Sequence, residues 1–300
     1  MDYKIFLNDL KDACMRWGGR VIITGHDQPD ADSVLSAVML NRLLAKLGIE
    51  TAVKFPTAPD NVTLRDMKAL GVWQEGYLSC LEAGDGLVLV DHHATFHKNM
   101  VIGCVDHHTT PPAPVFKNAL VVRASSCGKI IYDMAVECAL DDVWMKKMAL
   151  YSIYLDTQSC RSTKFNCEDA PWVRKTLEEF EMDEKELERM GFCLNSFDED
   201  VKTLAMYGYK RYEFKGKRSA STCIQIDTSE KEWGETIPKI VEYLKLQMVC
   251  EGCEMWAFVL NMPIESRSDI YYLRENGVEI LRLDRLASRS KDVIPIANSL

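Results

Sequence analysis

Val105-Asp106-His107-His108-Thr109 closes an apolar, β-branched-rich run that begins at Val101, and three other acidic clusters stand behind runs of the same kind. Gly25-His26-Asp27-Gln28-Pro29-Asp30-Ala31-Asp32-Ser33 follows Val21 to Thr24, Asp91-His92-His93 follows Leu87 to Val90, and Asp156-Thr157 follows Tyr151 to Leu155. Short continuous apolar runs predict strands buried on both faces of a parallel sheet. In open parallel α/β sheets ligands bind beyond the carboxyl ends of the strands, so the four acidic tips are expected to meet in one crevice.

Working outward, Ile5, Phe6, Leu10 and Cys14 recur at helical spacing and predict an amphipathic helix over residues 1–16. Ser33 to Leu47 reads as a helix stopped by Gly48. Thr51 to Phe55 reads as a short strand and Val62 to Leu70 as a helix. Ala124-Ser125-Ser126-Cys127-Gly128 opens a helix over Lys129 to Ala139, whose first amides could face an anion. Helices are also expected over Asp141 to Ser152, Glu168 to Phe180 and Asp183 to Leu194. The pattern changes around Asn195 to Asp200. Beyond it come a hairpin at Tyr212 to Lys217, strands at Ser221 to Ile226, Trp256 to Leu260 and Ser268 to Leu273, a helix at Ile237 to Val249 and a turn at Glu275-Asn276-Gly277. The fold class is therefore α/β. A parallel-sheet catalytic domain is expected at 1–195 and a smaller, mixed α/β substrate domain at 196–300, with the active site in the cleft between them.

The chain has 300 residues, 47% of them hydrophobic and 27% charged, which suits a globular protein of two domains. A formal charge of −9 argues against broad adhesion to long duplex nucleic acid or anionic membrane. No apolar run approaches the roughly 18 to 20 residues of a membrane span, and Met1 to Arg16 is polar, so the expected location is the cytoplasm. Eleven cysteines without regular spacing point to reduced thiols. Cys250-Glu251-Gly252-Cys253 lacks a second pair of zinc ligands in its half of the chain.

All six histidines lie between His26 and His108, five of them inside the acidic clusters or beside His93. A lone aspartate at a strand end most often caps a helix, and Asp30 or Ser33 taken alone could do only that. Several carboxylates in one crevice, however, repel each other and protonate unless a cation neutralises them. His26, Asp30 and Asp32 share one turn, while Asp91, His107 and Asp156 come from other segments, so one carboxylate can bridge two ions. Imidazole mixed with carboxylate, without thiolate, favours Mn²⁺ or another six-coordinate divalent ion such as Mg²⁺ or Co²⁺. Two such ions serve hydrolysis of a phosphate ester or anhydride.

These clusters resemble the DHH phosphoesterase superfamily over roughly residues 18–195: His26-x-x-x-Asp30-x-Asp32-Ser33 is similar to its first motif, Asp91 to its second, Asp106-His107-His108 to its third and Asp156-Thr157 to its fourth. The resemblance implies metal ligation by His26, Asp30, Asp32, Asp91, His107 and Asp156. It implies that His108 contacts the scissile phosphate or protonates the leaving group and that Asp106 orients an imidazole. Arg161 resembles the arginine of the family's substrate lining. His92 and His93 depart from common patterns and are open to a ligand, substrate-contact or structural role.

Leu286 to Ala297 is similar to the substrate segment of DHHA1 domains, although the glycine-rich loop expected after it does not occur before Leu300. The same segment also resembles the Ser-Arg-Lys motif of the DHHA2 domains of manganese pyrophosphatases and exopolyphosphatases, with Ser290 where lysine is expected. On either resemblance Arg289 and Lys291 would hold an anionic group, Arg289 through its bidentate fork. The leading expectation is a phosphohydrolase of short oligonucleotides, dinucleotides or small phosphonucleotides, with Tyr207, Tyr209 and Tyr212 as stacking candidates and Lys210 and Lys217 as cations. The alternative enzyme is a manganese-dependent pyrophosphatase or exopolyphosphatase, and the alternative of another class is a non-catalytic nucleotide-binding protein. A homodimer is compatible with each.

Overall fold

The computed structural model describes residues 2–93, 98–109, 116–184, 187, 190, 200–214, 217–226, 233–287 and 292–299. The chain divides into two compact units, one of Met1–Cys160 with Lys164–Leu187, the other of Arg161–Thr163 with Glu188–Leu300. The expected boundary at 195/196, most of the helix expected at Asp183 to Leu194, and Arg289 and Lys291 all lie outside the described residues.

Unit 1 is a five-stranded sheet in the order β2-β1-β3-β4-β5, formed by β1 (Val21–Thr24), β2 (Ala52–Val53), β3 (Gly86–Val90), β4 (Val101–Asp106) and β5 (Ala119–Val121). Every pairing is parallel. All residues of β1 and β3 are buried, which is why these runs are apolar without alternation. Consecutive parallel strands need crossovers. Those among the described residues include α2 (Ala31–Lys46) and α3 (Asn61–Ala69), and α1 (Tyr3–Arg16) leads into β1. α4 (Cys127–Glu137), α5 (Val143–Asp156) and α6 (Ala170–Glu179) follow the sheet. α2, α4 and α5 pack on one another.

This strand order reverses direction between β1 and β3, which pair from Val21 opposite Gly86 to Thr24 opposite Leu89. A crevice opens beyond the strand ends at such a reversal, because the connections leave to opposite sides. The His26–Asp32 turn and Asp91 leave the two strands at that point.

One expected strand is corrected. Tyr151 to Leu155 is the last part of α5, and Asp156 is that helix's final residue. Met145, Met148, Ala149, Leu150, Tyr151, Ser152, Ile153 and Tyr154 are all buried, so α5 is apolar around most of its circumference. An all-round apolar helix lacks the 3.6-residue stripe that separates it from a buried strand. The acidic tips therefore come from three strands and one helix end. β5, with three residues, carries too little pattern to be read from sequence.

Unit 2 holds a mixed sheet in the order β10-β9-β8-β7-β6, with β6 (Lys210–Phe214), β7 (Lys217–Gln225), β8 (Met255–Met262), β9 (Arg267–Arg274) and β10 (Gly277–Leu283). β6 and β7 pair antiparallel, as the expected hairpin requires. β7 and β8 are parallel, and α8 (Trp233–Cys250), which follows the short α7 (Val201–Ala205), connects them. β9 and β10 complete the sheet antiparallel. β10 was not expected as a strand; five of its seven residues are exposed, so it lacks an apolar signal. All eight residues of β8 are buried. The ten described cysteines are free thiols. No described helix is long and apolar enough to cross a membrane.

Candidate metal centre

The first turn of the site is set by a helix start. Asp30 caps α2, its Oδ1 accepting from the Ser33 amide at 3.2 Å, while its Oδ2 lies 3.3 Å from His26 Nε2. Asp30 thus caps α2 with one oxygen and turns the other toward His26. Gly25 permits this close start: a Cβ there would lie 2.7 Å from Ser33 Cβ. Asp91 follows β3 with φ of 61°, left-handed backbone that a non-glycine residue adopts only when its surroundings impose it. Its Oδ2 accepts from Ser33 Oγ at 2.7 Å and lies 3.5 Å from His26 Nε2.

Asp32 points into the start of α4. Its Oδ2 accepts from the Cys127 amide at 2.7 Å and its Oδ1 from the Gly128 amide at 3.0 Å, with Ser36 and Ser152 hydroxyls adding to Oδ1. The anion expected at this helix N-terminus is thus the protein's own aspartate. A Cβ on Gly128 would lie 2.4 Å from Ser152 Oγ, so glycine is what lets the two helices and Asp32 converge.

His107 and Asp156 complete the group. His107 Nδ1 faces the Ala124 carbonyl at 3.2 Å, and a carbonyl can only accept, so Nδ1 carries a proton. The opposite nitrogen, Nε2, lies 3.2 Å from Asp91 Oδ1, 3.6 Å from Asp156 Oδ2 and 3.7 Å from Asp32 Oδ2. Asp91 Oδ1, His107 Nε2 and Asp156 Oδ2 are buried and have no hydrogen-bond partner. His26 repeats the pattern, with Nδ1 at 2.8 Å from the Asp27 carbonyl and Nε2 turned to Asp30 and Asp91.

The electrostatics describe a cluster short of positive charge. Burial, and then the neighbouring Asp91, push the Asp32 carboxyl up to about 7. Burial opposes charge on His107, but its contact with Asp91 and the charges of Asp156, Asp91 and Asp32 carry it up to about 10. Burial and Asp30 raise Asp91, and its contacts with His107 and His26 outweigh them, leaving it below the ordinary carboxylate value. Protons are being drawn in where a multivalent cation would fit. Three ligand groups meet geometrically among the described residues: His26, Asp30 and Asp91; Asp32, His107 and Asp156; and Asp91, His107 and His108. All six expected ligands belong to the first two groups.

A second hydrogen-bonded set stands beside them. Asp106 is sealed from solvent at the end of β4, and its Oδ1 accepts from the His108 amide at 3.0 Å and lies 2.8 Å from His108 Nδ1. Its Oδ2 bonds His93 Nδ1. The imidazoles pull the Asp106 carboxyl down to about 2 against the opposing effect of burial. His108 is the open member, with 42% of its side chain exposed. His93, whose role the sequence left open, is therefore an Asp106 partner. Lys164 was missed altogether: its ammonium contacts Asp156 Oδ1. No motif flags it, since the link depends on how the chain turns after α5. Arg161, three residues earlier, falls within unit 2, where its Nη1 donates to the Pro263 carbonyl at 3.1 Å.

Residues 20–157 match the model of the DHH family, N-terminal domain. A DHH-family N-terminal domain is thus matched over a little under half of the chain. A curated relative, the "Probable manganese-dependent inorganic pyrophosphatase" of Shouchella clausii (strain KSM-K16), is 29% identical over 96 residues, which make up 30% of this chain and 31% of that protein. The chain thus spans about a third of the length of the relative it matches. Among solved structures, the Methanococcus jannaschii "putative family II inorganic pyrophosphatase" superposes with a TM-score of 0.74 at 18% identity, covering 93% of this chain and 98% of that one. That likeness shows that the DHH domain and unit 2 share the fold of that protein. An exopolyphosphatase-related protein from Bacteroides fragilis matches with a TM-score of 0.44 at 13% identity, over 98% and 95% of the two chains.

Proposed function

We propose that this protein is a divalent-metal-dependent phosphohydrolase that cleaves a small phosphoanhydride such as pyrophosphate. The observation that carries the reading is His107 Nε2, a buried nitrogen without a hydrogen-bond partner that stands opposite a protonated Nδ1 and among three carboxylates. His26, Asp30 and Asp91 would hold one ion and Asp32, His107 and Asp156 the other, with Asp91 offering an oxygen to each side. Two Mn²⁺ ions held here would supply Lewis acidity toward phosphoryl oxygens and an activated water at neutral pH.

The protein's own groups account for the remaining steps. The carbonyls of Asp27 and Ala124 fix the tautomers of His26 and His107, so that both present Nε2 to the centre. Asp106, ionised and gripped by His93, orients His108 through Nδ1. His108 Nε2 is then the atom to donate a proton to the departing phosphate oxygen. On the family resemblance alone, Arg161, Arg289 and Lys291 stay proposed as the residues that bind a phosphate of the substrate.

Two considerations support an anhydride over the oligonucleotides expected from the sequence. The curated relative is named as a pyrophosphatase. Two of the three stacking rings expected in unit 2 are also already engaged: Tyr207 is buried, and Tyr209 stacks on Trp256 and carries Arg211 against its ring.

The test is a panel of pyrophosphate, polyphosphate, a phosphorylated dinucleotide and adenosine bisphosphate with Mn²⁺-loaded protein. Pyrophosphate should give the highest kcat/KM. His108→Ala should keep its metal and lose turnover by a factor on the order of 10² or more. Fastest cleavage of the dinucleotide would replace the anhydride reading, and hydrolysis of none of the four would end the enzyme reading.

A further inference from the structure

Lys164 belongs to no motif, yet it sits on a carboxylate of the metal centre. After α5 ends at Asp156 the chain reverses through Gln158, Ser159 and Cys160, three successive residues with φ of 53°, 59° and 62°. Left-handed backbone costs a non-glycine residue roughly 1 to 2 kcal/mol, so the reversal must be held. The Ser159 amide donates to the Tyr154 carbonyl at 2.8 Å and the Cys160 amide to Thr157 Oγ1 at 3.0 Å. The outcome is that Lys164 Nζ returns to Asp156 Oδ1, eight residues back.

Asp156 is thereby divided. Oδ1 is taken by the ammonium, while Oδ2, without a hydrogen-bond partner, faces His107 Nε2 at 3.6 Å. A lysine ammonium paired with a carboxylate keeps its charge at neutral pH, so Lys164 is a fixed positive charge beside the cluster. Charge counting gives it a role: two divalent ions would balance Asp30, Asp32, Asp91 and Asp156, and Lys164 would tip the filled centre to net positive.

We propose that Lys164 is a resident counter-cation of the metal centre. By holding one oxygen of Asp156 it restricts that residue to a one-oxygen ligand, its charge weakens binding of the neighbouring divalent ion, and it strengthens the hold of the filled centre on a phosphate anion. The inference rests on the two-ion reading above. It differs from an ordinary surface ion pair, which contributes at most about 1 kcal/mol to stability and leaves ligand binding alone. The side chain is 36% exposed, so solvent screens part of its field and the effects should be moderate.

The experiment compares wild type, Lys164→Met and Lys164→Arg in the full chain, with circular dichroism and thermal melting to verify folding. Mn²⁺ affinity is measured by competition with a chromophoric chelator, and inorganic phosphate affinity by calorimetry on the Mn²⁺-loaded proteins. Lys164→Met should bind Mn²⁺ about 5 to 10 times more tightly and phosphate about 5 to 10 times more weakly, a span that one partly screened charge can produce. Lys164→Arg should stay near wild type in both. Unchanged or weaker Mn²⁺ binding by Lys164→Met, or unchanged phosphate binding, overturns the proposal while leaving the metal centre standing. A wild-type protein that binds no Mn²⁺ overturns both.

Discussion

Asn261 in unit 2 and Asp91 in unit 1 are almost equally sealed from solvent, at 0% and 2% exposure, yet only Asn261 has its polar atoms satisfied. Asn261 Oδ1 accepts from Ser268 Oγ and from the Ala287 amide at 3.2 Å, and its Nδ2 donates to the Ala287 carbonyl at 3.4 Å. Ser268 Oγ accepts from the same amide at 2.8 Å. Asp91 Oδ1 has no hydrogen-bond partner and faces a nitrogen that has none either. A buried polar group without a partner costs roughly 1 to 3 kcal/mol and a charge costs more. The Asn261 knot is a complete structure, whereas the Asp91 group leaves buried polar atoms that a cation would satisfy.

The largest effect that could break this contrast is expected from Asp91→Asn. It removes charge from a cluster already short of compensation, so metal-free protein should melt at or above the wild-type temperature. Mn²⁺ affinity should fall by a factor on the order of 10² or more, as for loss of a ligand shared by two ions, and turnover should fall with it. Excess Mn²⁺ should raise the melting temperature of wild type, since a ligand at 100 times its Kd adds about 2.7 kcal/mol per site, and should do so far less for the variant. A metal-free Asp91→Asn protein that unfolds readily would show that the cluster is a structural knot after all.

The converse change comes next in size. Asn261→Ala leaves the Ala287 amide and carbonyl and Ser268 with fewer partners, so unit 2 should lose about 2 to 3 kcal/mol, read from the urea midpoint. Mn²⁺ affinity should not move. A loss of metal binding in this variant, with stability preserved, would reverse the contrast.

The difference also explains what could be read in advance. β1, β3 and β4 are local, continuous apolar runs, and the polar residues that follow them are local too, so His26, Asp30, Asp32, Asp91, Asp106, His107 and His108 could be picked out before any packing was known. Asp156 was picked out while the helix carrying it was misread, because burial on all sides erases the helical stripe in α5. What depends on distant segments was invisible. Asp32 meets the amides of Cys127 and Gly128 across about a third of the chain, His93 meets Asp106 from the neighbouring strand, and Lys164 meets Asp156 only through the left-handed reversal. In unit 2, Asn261 and Ala287 are likewise joined by folding alone.

The smallest effect sharpens the contrast within unit 1 itself, where Asp142 is an aspartate with both oxygens satisfied. Its Oδ1 caps α5 by accepting from the Met145 amide at 2.8 Å, and its Oδ2 meets Lys46 Nζ at 2.7 Å and Arg42 Nε at 2.9 Å. Burial alone would raise it, but Lys46, the Met145 amide and Arg42 together bring it down to about 2, opposite in direction to Asp32. A folded-state pKa below the unfolded one stabilises the protein above the unfolded value, near 4, and that contribution disappears as pH falls through about 2. Asp142→Asn keeps a good N-cap and removes only the charge, so it should cost about 1 to 2 kcal/mol at pH 6 and almost nothing at pH 2. The measurement is the urea midpoint of both proteins, stripped of metal by chelation, at pH 6, 4 and 2. A gap between the two proteins that stays constant across that range would mean that Asp142 acts through its capping geometry rather than its charge, and the distinction between paired and uncompensated aspartates would then have to rest on Asp91 alone.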